Sequence, residues 1–185
     1  PEGARKIFID LGANDGESTS YFLKKPEGSH TDSVATQGGS ADSYLRGLGS
    51  SGDWEIVVFE ANTNFTRQLN TLKHKVMESK MAKKFTVHAG TAIAKSSGTI
   101  SFIIDNPFAG AAGATTMHES TSAVGPHFEI PAIGIIDLFH NMKIKHEDFV
   151  VLKMDIEGAE FDLMRHIITH GLHKRIDIAA VEYHD

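Results

Sequence analysis

The chain has 185 residues, with 18 Lys and Arg against 24 Asp and Glu, 41% hydrophobic content and no cysteine. This length and composition describe one domain, residues 1–185, with a packed core rather than a disordered chain. A net charge of −6 argues against a sequence-independent nucleic-acid coat, which needs a basic face to displace counterions. The missing cysteine removes disulfide scaffolds, thiolate zinc sites and cysteine nucleophiles. No apolar run reaches the roughly 18 residues of a membrane span, and a cytoplasmic protein is expected.

In chain order, short β-rich runs alternate with helical periods, the pattern of βαβ units and a doubly wound, mostly parallel α/β sheet. Residues 6–11 (K-I-F-I-D-L) read as a buried strand that stops at Gly12, and 18–25 as a helix with Asp15 and Glu17 at its favourable end. Residues 26–53 are rich in Gly and Ser and read as a flexible insertion, with a short helix near 44–48. Residues 55–60 form the second strand. A helix follows whose Phe65, Leu69, Leu72 and Val76 recur at four, three and four. Strands are expected at 84–89 and 99–104, then an active-site-type loop over 105–127 and a short helix at 136–142. Residues 149–154 (F-V-V-L-K-M) are the strongest strand. The next helix runs over 159–170, with Phe161, Met164, Ile167 and Ile168 inward and Gly171 as its cap, and a last strand covers 176–182.

Ligands of open parallel sheets bind at the carboxyl ends of the strands. Those ends carry Asp10 with Gly12-Ala13-Asn14-Asp15-Gly16, then Glu60, Thr91-Ala92, Asp155 with Glu157, and Glu182 with His184. The first turn lacks the G-x-G-x-x-G of a dinucleotide site. Its flanking carboxylates would repel a pyrophosphate but attract an ammonium or sulfonium, both of which S-adenosylmethionine carries. Glu60 suits a bidentate bond to ribose hydroxyls in either cofactor class. The plainer alternative is that Gly12 and Gly16 only make a tight turn.

The sequence here resembles the FkbM-type S-adenosylmethionine-dependent methyltransferases, members of the class I methyltransferase fold. The resemblance rests on F-I-D-L-G-A-N-D-G (8–16), V-F-E-A-N (58–62), G-T-A-I-A-K-S-S-G (90–98), V-E-Y-H (181–184) and above all L-K-M-D-I-E-G-A-E (152–160). It implies that Asp10 and Gly12 contact the methionine amino end, with Asn14 and Gly16 shaping the same pocket. Glu60 becomes the ribose acid, Asn62 lies near the adenine edge, and Thr91 and Ala92 form the adenine-side wall. Asp155 faces the transferred methyl group, and the implied reaction is O-methylation of a hydroxyl on a sugar or natural-product-like small molecule. Two departures stand out: a first crossover about twenty residues longer than the fold's usual one, and an end at the fifth strand, so that part of the C-terminal strands is expected to be lacking.

A hydroxyl acceptor must lose its proton, and Asp155, Glu182 and His184 are the candidate bases, with histidine best matched in pKa. Alternatively, Asp155 or Glu157 caps the helix that begins near Gly158. Asp155, Glu157, Glu160 and Glu182 would also suit Mg²⁺ or Ca²⁺, but Glu157 and Glu160 are expected to be partly solvated, and no metal is expected. His166, His170 and His173 read as helix-end cations, while His118 and His127 lie where an acceptor could be touched. The competing readings are an NAD-type oxidoreductase and a non-catalytic cofactor-binding module.

Overall fold

A computed structural model describes residues 3–24, 44–103 and 127–184. The expected loop over 105–127 lies outside the described residues except for His127, as does the insertion up to residue 43. Five parallel strands form the main sheet in the order β3-β2-β1-β7-β8. They are β1 (Lys6–Leu11), β2 (Trp54–Glu60), β3 (Lys84–Ala89), β7 (Phe149–Met154) and β8 (Ile178–Val181). A second sheet of three strands, in the order β4-β6-β5, comprises β4 (Ala92–Ala94), β5 (Gly98–Ile103) and β6 (His127–Gly134).

Among the described residues, the helices that cover the main sheet are α1 (Glu17–Leu23), α2 (Thr66–Glu78), α3 (Ile135–Asn141) and α4 (Glu160–Thr169). Alternation along β1 sorts its side chains between two cores. Ile7, Ile9 and Leu11 pack with Leu138 and Phe139 of α3 and Leu163 and Ile167 of α4. Phe8 faces the other way, with Phe22 of α1 and Leu69 and Val76 of α2. A strand covered on both faces needs apolar residues at nearly every position, which is why β1 and β7 read as continuous runs. The one interruption in each, Asp10 and Lys153, falls at the same register position of adjacent strands.

The end of the insertion is anchored rather than loose. Leu45 is buried in the α1–α2 core, and the Gly49 N–H donates to the Phe22 carbonyl at 2.8 Å. A Cβ on Gly49 would meet the Phe22 ring at 2.3 Å, so the segment passes α1 where only glycine fits.

Two expectations need correction. The three-stranded sheet is new, because β4 is short and Pro131 within β6 speaks against a strand. Pro131 is tolerated because β4 begins to pair with β6 only at Ala132, leaving Pro131 paired on the β5 side. The inward stripe of α4 is Glu160, Leu163 and Ile167, with Met164 packed at its edge; Phe161 and Ile168 are exposed. The helix is rotated so that a carboxylate, not Phe161, enters the interior.

Candidate active site

The turn after β1 is built from backbone conformations that few residues adopt. Gly12, Asn14 and Gly16 have φ of 78°, 52° and 92°. A Cβ on Gly12 would lie 1.8 Å from the Asp155 carbonyl oxygen, so this glycine lets the first turn close against the end of β7. A Cβ on Gly16 would meet Leu72 at 2.5 Å, so it admits α2. The N–H groups of Gly12 and Ala13 both donate to the Phe59 carbonyl, and that of Asp155 to Leu11.

Asp10 is fully buried beneath this turn. One oxygen accepts from the hydroxyls of Ser18 (2.6 Å) and Thr19 (2.7 Å) on α1, and the other lies 3.6 Å from the Lys153 ammonium. Its carboxylate thus ties β1 to α1 and β7 and has no solvent-facing oxygen. Lys153, also buried, donates to the Gly12 carbonyl at 2.9 Å and to Asp155 Oδ2 at 3.3 Å. Sequence reading assigned Lys153 no role. The available signal was a charged residue inside an otherwise apolar strand.

Glu60, at the end of β2, is joined to the same turn. Its two oxygens accept from the backbone N–H groups of Asn14 and Asn62, each at 2.7 Å. Burial pushes its carboxyl above the usual range, against the pull of those two donors. Each oxygen keeps a second lone pair, which suits a diol donor. Asn62 turns its side-chain oxygen to the Asn64 N–H, capping a 3₁₀ turn. Thr91 donates its N–H to the Glu60 carbonyl, and Ala92 packs with Ile130 and Ala132 in the small sheet.

Past β7 and β8 the chain brings Asp155, Glu157 and His184 together. His184 Nε2 lies 3.7 Å from Asp155 Oδ1 and 3.8 Å from Glu157 Oε2, and its Nδ1 lies 3.1 Å from Glu160 Oε1. Burial disfavours the charged imidazole, but the Glu160 bond and the carboxylates of Glu157, Glu160 and Asp155 outweigh it, so His184 is raised. Glu157, itself in a left-handed conformation, is raised by burial and by neighbouring Asp155, Glu160 and Glu182, with His184 opposing. Glu182 donates its backbone N–H to Met154 and stands at the margin.

Glu160 is fully buried, not partly solvated as expected, and it accepts from the backbone N–H groups of Ile156 (2.8 Å) and Gly158 (2.9 Å) as well. That corrects the capping expectation too. The α4 N-cap is Ala159, with no side-chain cap bond, and Glu160 rather than Asp155 or Glu157 satisfies the donors before the helix. Among the described residues, Asp155, Glu157 and His184 are a group whose ligand atoms lie within 4.8 Å of one another. Asp155 also faces the Lys153 ammonium at 3.3 Å.

His166, expected as a helix-end cation, is lowered by burial and by His170 and Lys95. His118 and the side chain of His127 lie outside the described residues.

A parallel β3-β2-β1-β7-β8 sheet with a glycine turn after β1, an acid after β2 and an acid–histidine group after β7 and β8 is a Rossmann-like methyltransferase fold. The chain matches the Methyltransferase FkbM domain over residues 10–185 and belongs to that family. No curated protein and no solved structure matches the chain. The protein is therefore a methyltransferase, and the oxidoreductase alternative is set aside. Among the described residues, no helix is long and apolar enough to cross a membrane.

Proposed function

We propose that this methyltransferase takes S-adenosylmethionine as its methyl donor and methylates a hydroxyl oxygen of a sugar or a natural-product-like small molecule. The residues fit such a cofactor. Glu60 presents a diol-binding carboxylate, the Gly12–Gly16 turn adjoins it, and Asp155 and Glu157 supply negative charge that favours a cationic donor. When bound, the cofactor supplies an electrophilic methyl group on sulfonium.

The chain's own part is to bind, orient and move one proton. His184 carries the reading: its Nδ1 is taken by Glu160, so its Nε2 is the nitrogen available to accept the hydroxyl proton. Asp155 and Glu157 then stabilise the imidazolium. Asp155 Oδ2 is engaged by Lys153, which leaves Oδ1 directed toward His184. Glu60 and the turn would hold the adenosyl part, with Asn62, Thr91 and Ala92 bordering it and Asp10 acting from beneath.

Calorimetry with S-adenosylhomocysteine and with NAD tests the cofactor. Binding of the homocysteine product and not NAD is expected, and the reverse would sink the reading. Turnover over a panel of hydroxylated acceptors tests the reaction: S-adenosylhomocysteine release is expected from the wild type and is abolished in His184→Gln. Binding without turnover on any acceptor would favour the non-catalytic module.

A further inference from the structure

We infer that Glu160 is a positioning residue that holds the neutral His184 ring in the Nδ1–H tautomer, with the Nε2 lone pair turned toward Asp155 and Glu157. The inference deepens the methyl-transfer reading and rests on it for its catalytic meaning, while the tautomer itself is a property of the protein alone.

Three observations lead there. Glu160 is wholly buried in the first turn of α4, a place where an unpaired carboxylate is strongly disfavoured. It is not unpaired: two backbone N–H groups, Ile156 at 2.8 Å and Gly158 at 2.9 Å, are aimed at its two oxygens. Both donors belong to the loop between β7 and α4, so the carboxylate is held independently of His184. An ionised carboxylate is an acceptor only, and Oε1 is shared between the Ile156 N–H and His184 Nδ1 at 3.1 Å, so the ring nitrogen facing it must carry hydrogen. The opposite nitrogen stands 3.7 Å from Asp155 Oδ1 and 3.8 Å from Glu157 Oε2, beyond hydrogen-bond reach, so a neutral ring keeps its one hydrogen on Nδ1. A ring set between carboxylates on both sides gains a second proton readily, which is what a general base needs. Glu160 thus has the place of the buried acid in a catalytic triad, reached here by a helix that turns a glutamate inward.

Among the described residues, the charged groups bearing on the ring are Asp155 and Glu157 from the loop after β7 and Glu160 from α4, with Glu182 on the ring's own segment bearing on Glu157. Lys153 from β7 bears on the ring through Asp155. Removing the Glu160 charge leaves the others in place, so its effect is separable.

Nitrogen-15 NMR of the histidine rings, with His184→Gln to assign the signal, reads the tautomer directly. In the wild type above the titration of His184, the expected spectrum has a protonated Nδ1 and an unprotonated Nε2. In Glu160→Gln the ratio of the two tautomers is expected to change at least about tenfold, equivalent to about 1.4 kcal/mol, because a charge-assisted bond is lost. The titration midpoint is expected to fall. A wild-type ring protonated at Nε2 overturns the inference whether or not the variant folds, and so does an unchanged ratio in a folded variant. Calorimetry with S-adenosylhomocysteine on the same wild-type sample reads the cofactor assignment separately. Failure to bind would overturn the methyl-transfer reading without moving the His184 spectrum.

Discussion

At the scale of single residues, the site depends on two charges that the sheet buries side by side. Lys153 and Asp10 occupy facing register positions on β7 and β1, and each is almost wholly enclosed. Truncating one member of such a pair leaves the other's charge uncompensated, which typically costs 3–5 kcal/mol. Lys153→Met is therefore expected to lower the unfolding free energy by about that amount in urea titration. Glu60→Ala is expected to weaken S-adenosylhomocysteine binding about tenfold or more in calorimetry, because the carboxylate that holds the turn through Asn14 is lost. Gly12→Ala has no accommodating shift, since its Cβ would overlap the Asp155 carbonyl; soluble, cofactor-binding protein is not expected from it.

At the scale of elements, α4 is where periodicity and packing part company. Phe161 and Ile168 lie on a run that looks apolar, yet both are exposed, while Leu163 and Ile167 are in the core. Ile167→Ala is expected to cost about 2–5 kcal/mol, as cavity-forming changes do, and Phe161→Ala about 1 kcal/mol or less, both read from urea midpoints. The rotation that exposes Phe161 is the same one that brings Glu160 inward to the Ile156 and Gly158 N–H groups. A buried carboxylate with backbone donors waiting for it outweighs one more aromatic ring in the core. Phe161 instead packs on Tyr183, ring centroids 4.5 Å apart, beside the segment that carries His184.

At the scale of the whole molecule, acid should loosen the fold from a point far from the candidate active site. Asp148, between α3 and β7, accepts from the Arg5 side chain at 2.6 Å and from the N–H groups of Arg5 and Lys145. Burial opposes its ionisation, but the Arg5 and backbone donors prevail and draw its carboxyl down to about 2. A carboxyl depressed in the folded state contributes stability above its unfolded value, near 3.8, that is lost as pH falls toward 2. The contribution is about 2 kcal/mol, so the melting temperature is expected to fall across that window and the fall to shrink in Asp148→Asn.

How much could be read beforehand follows the same physics. The three central strands β1, β2 and β7 were legible because burial on both faces forces nearly unbroken apolar runs, as in residues 149–154, while the edge strands β3 and β8 are only partly buried. The small sheet was not, because β4 is three residues long and β6 carries a proline at Pro131. The strand-end candidates Asp10, Glu60, Asp155 and His184 were legible from topology, since parallel sheets gather their carboxyl ends on one side. What each side chain does there was not. Asp10 proves to be enclosed by Ser18, Thr19 and Lys153. Glu160, read as a partly solvated acid, and Lys153, a lone charge within an apolar run, hold the groups at its centre.

The sequence alone therefore determined the main sheet, its crossover helices, the family and the edge at which the candidate residues gather, because these depend on local periodicity and strand order. Only the tertiary structure decided which nitrogen of His184 is available, which oxygen of Asp155 faces it and which charges lie buried. Those depend on helix rotation and on distances of 3–4 Å between residues far apart in the chain, where a carboxylate turned by one position changes partner.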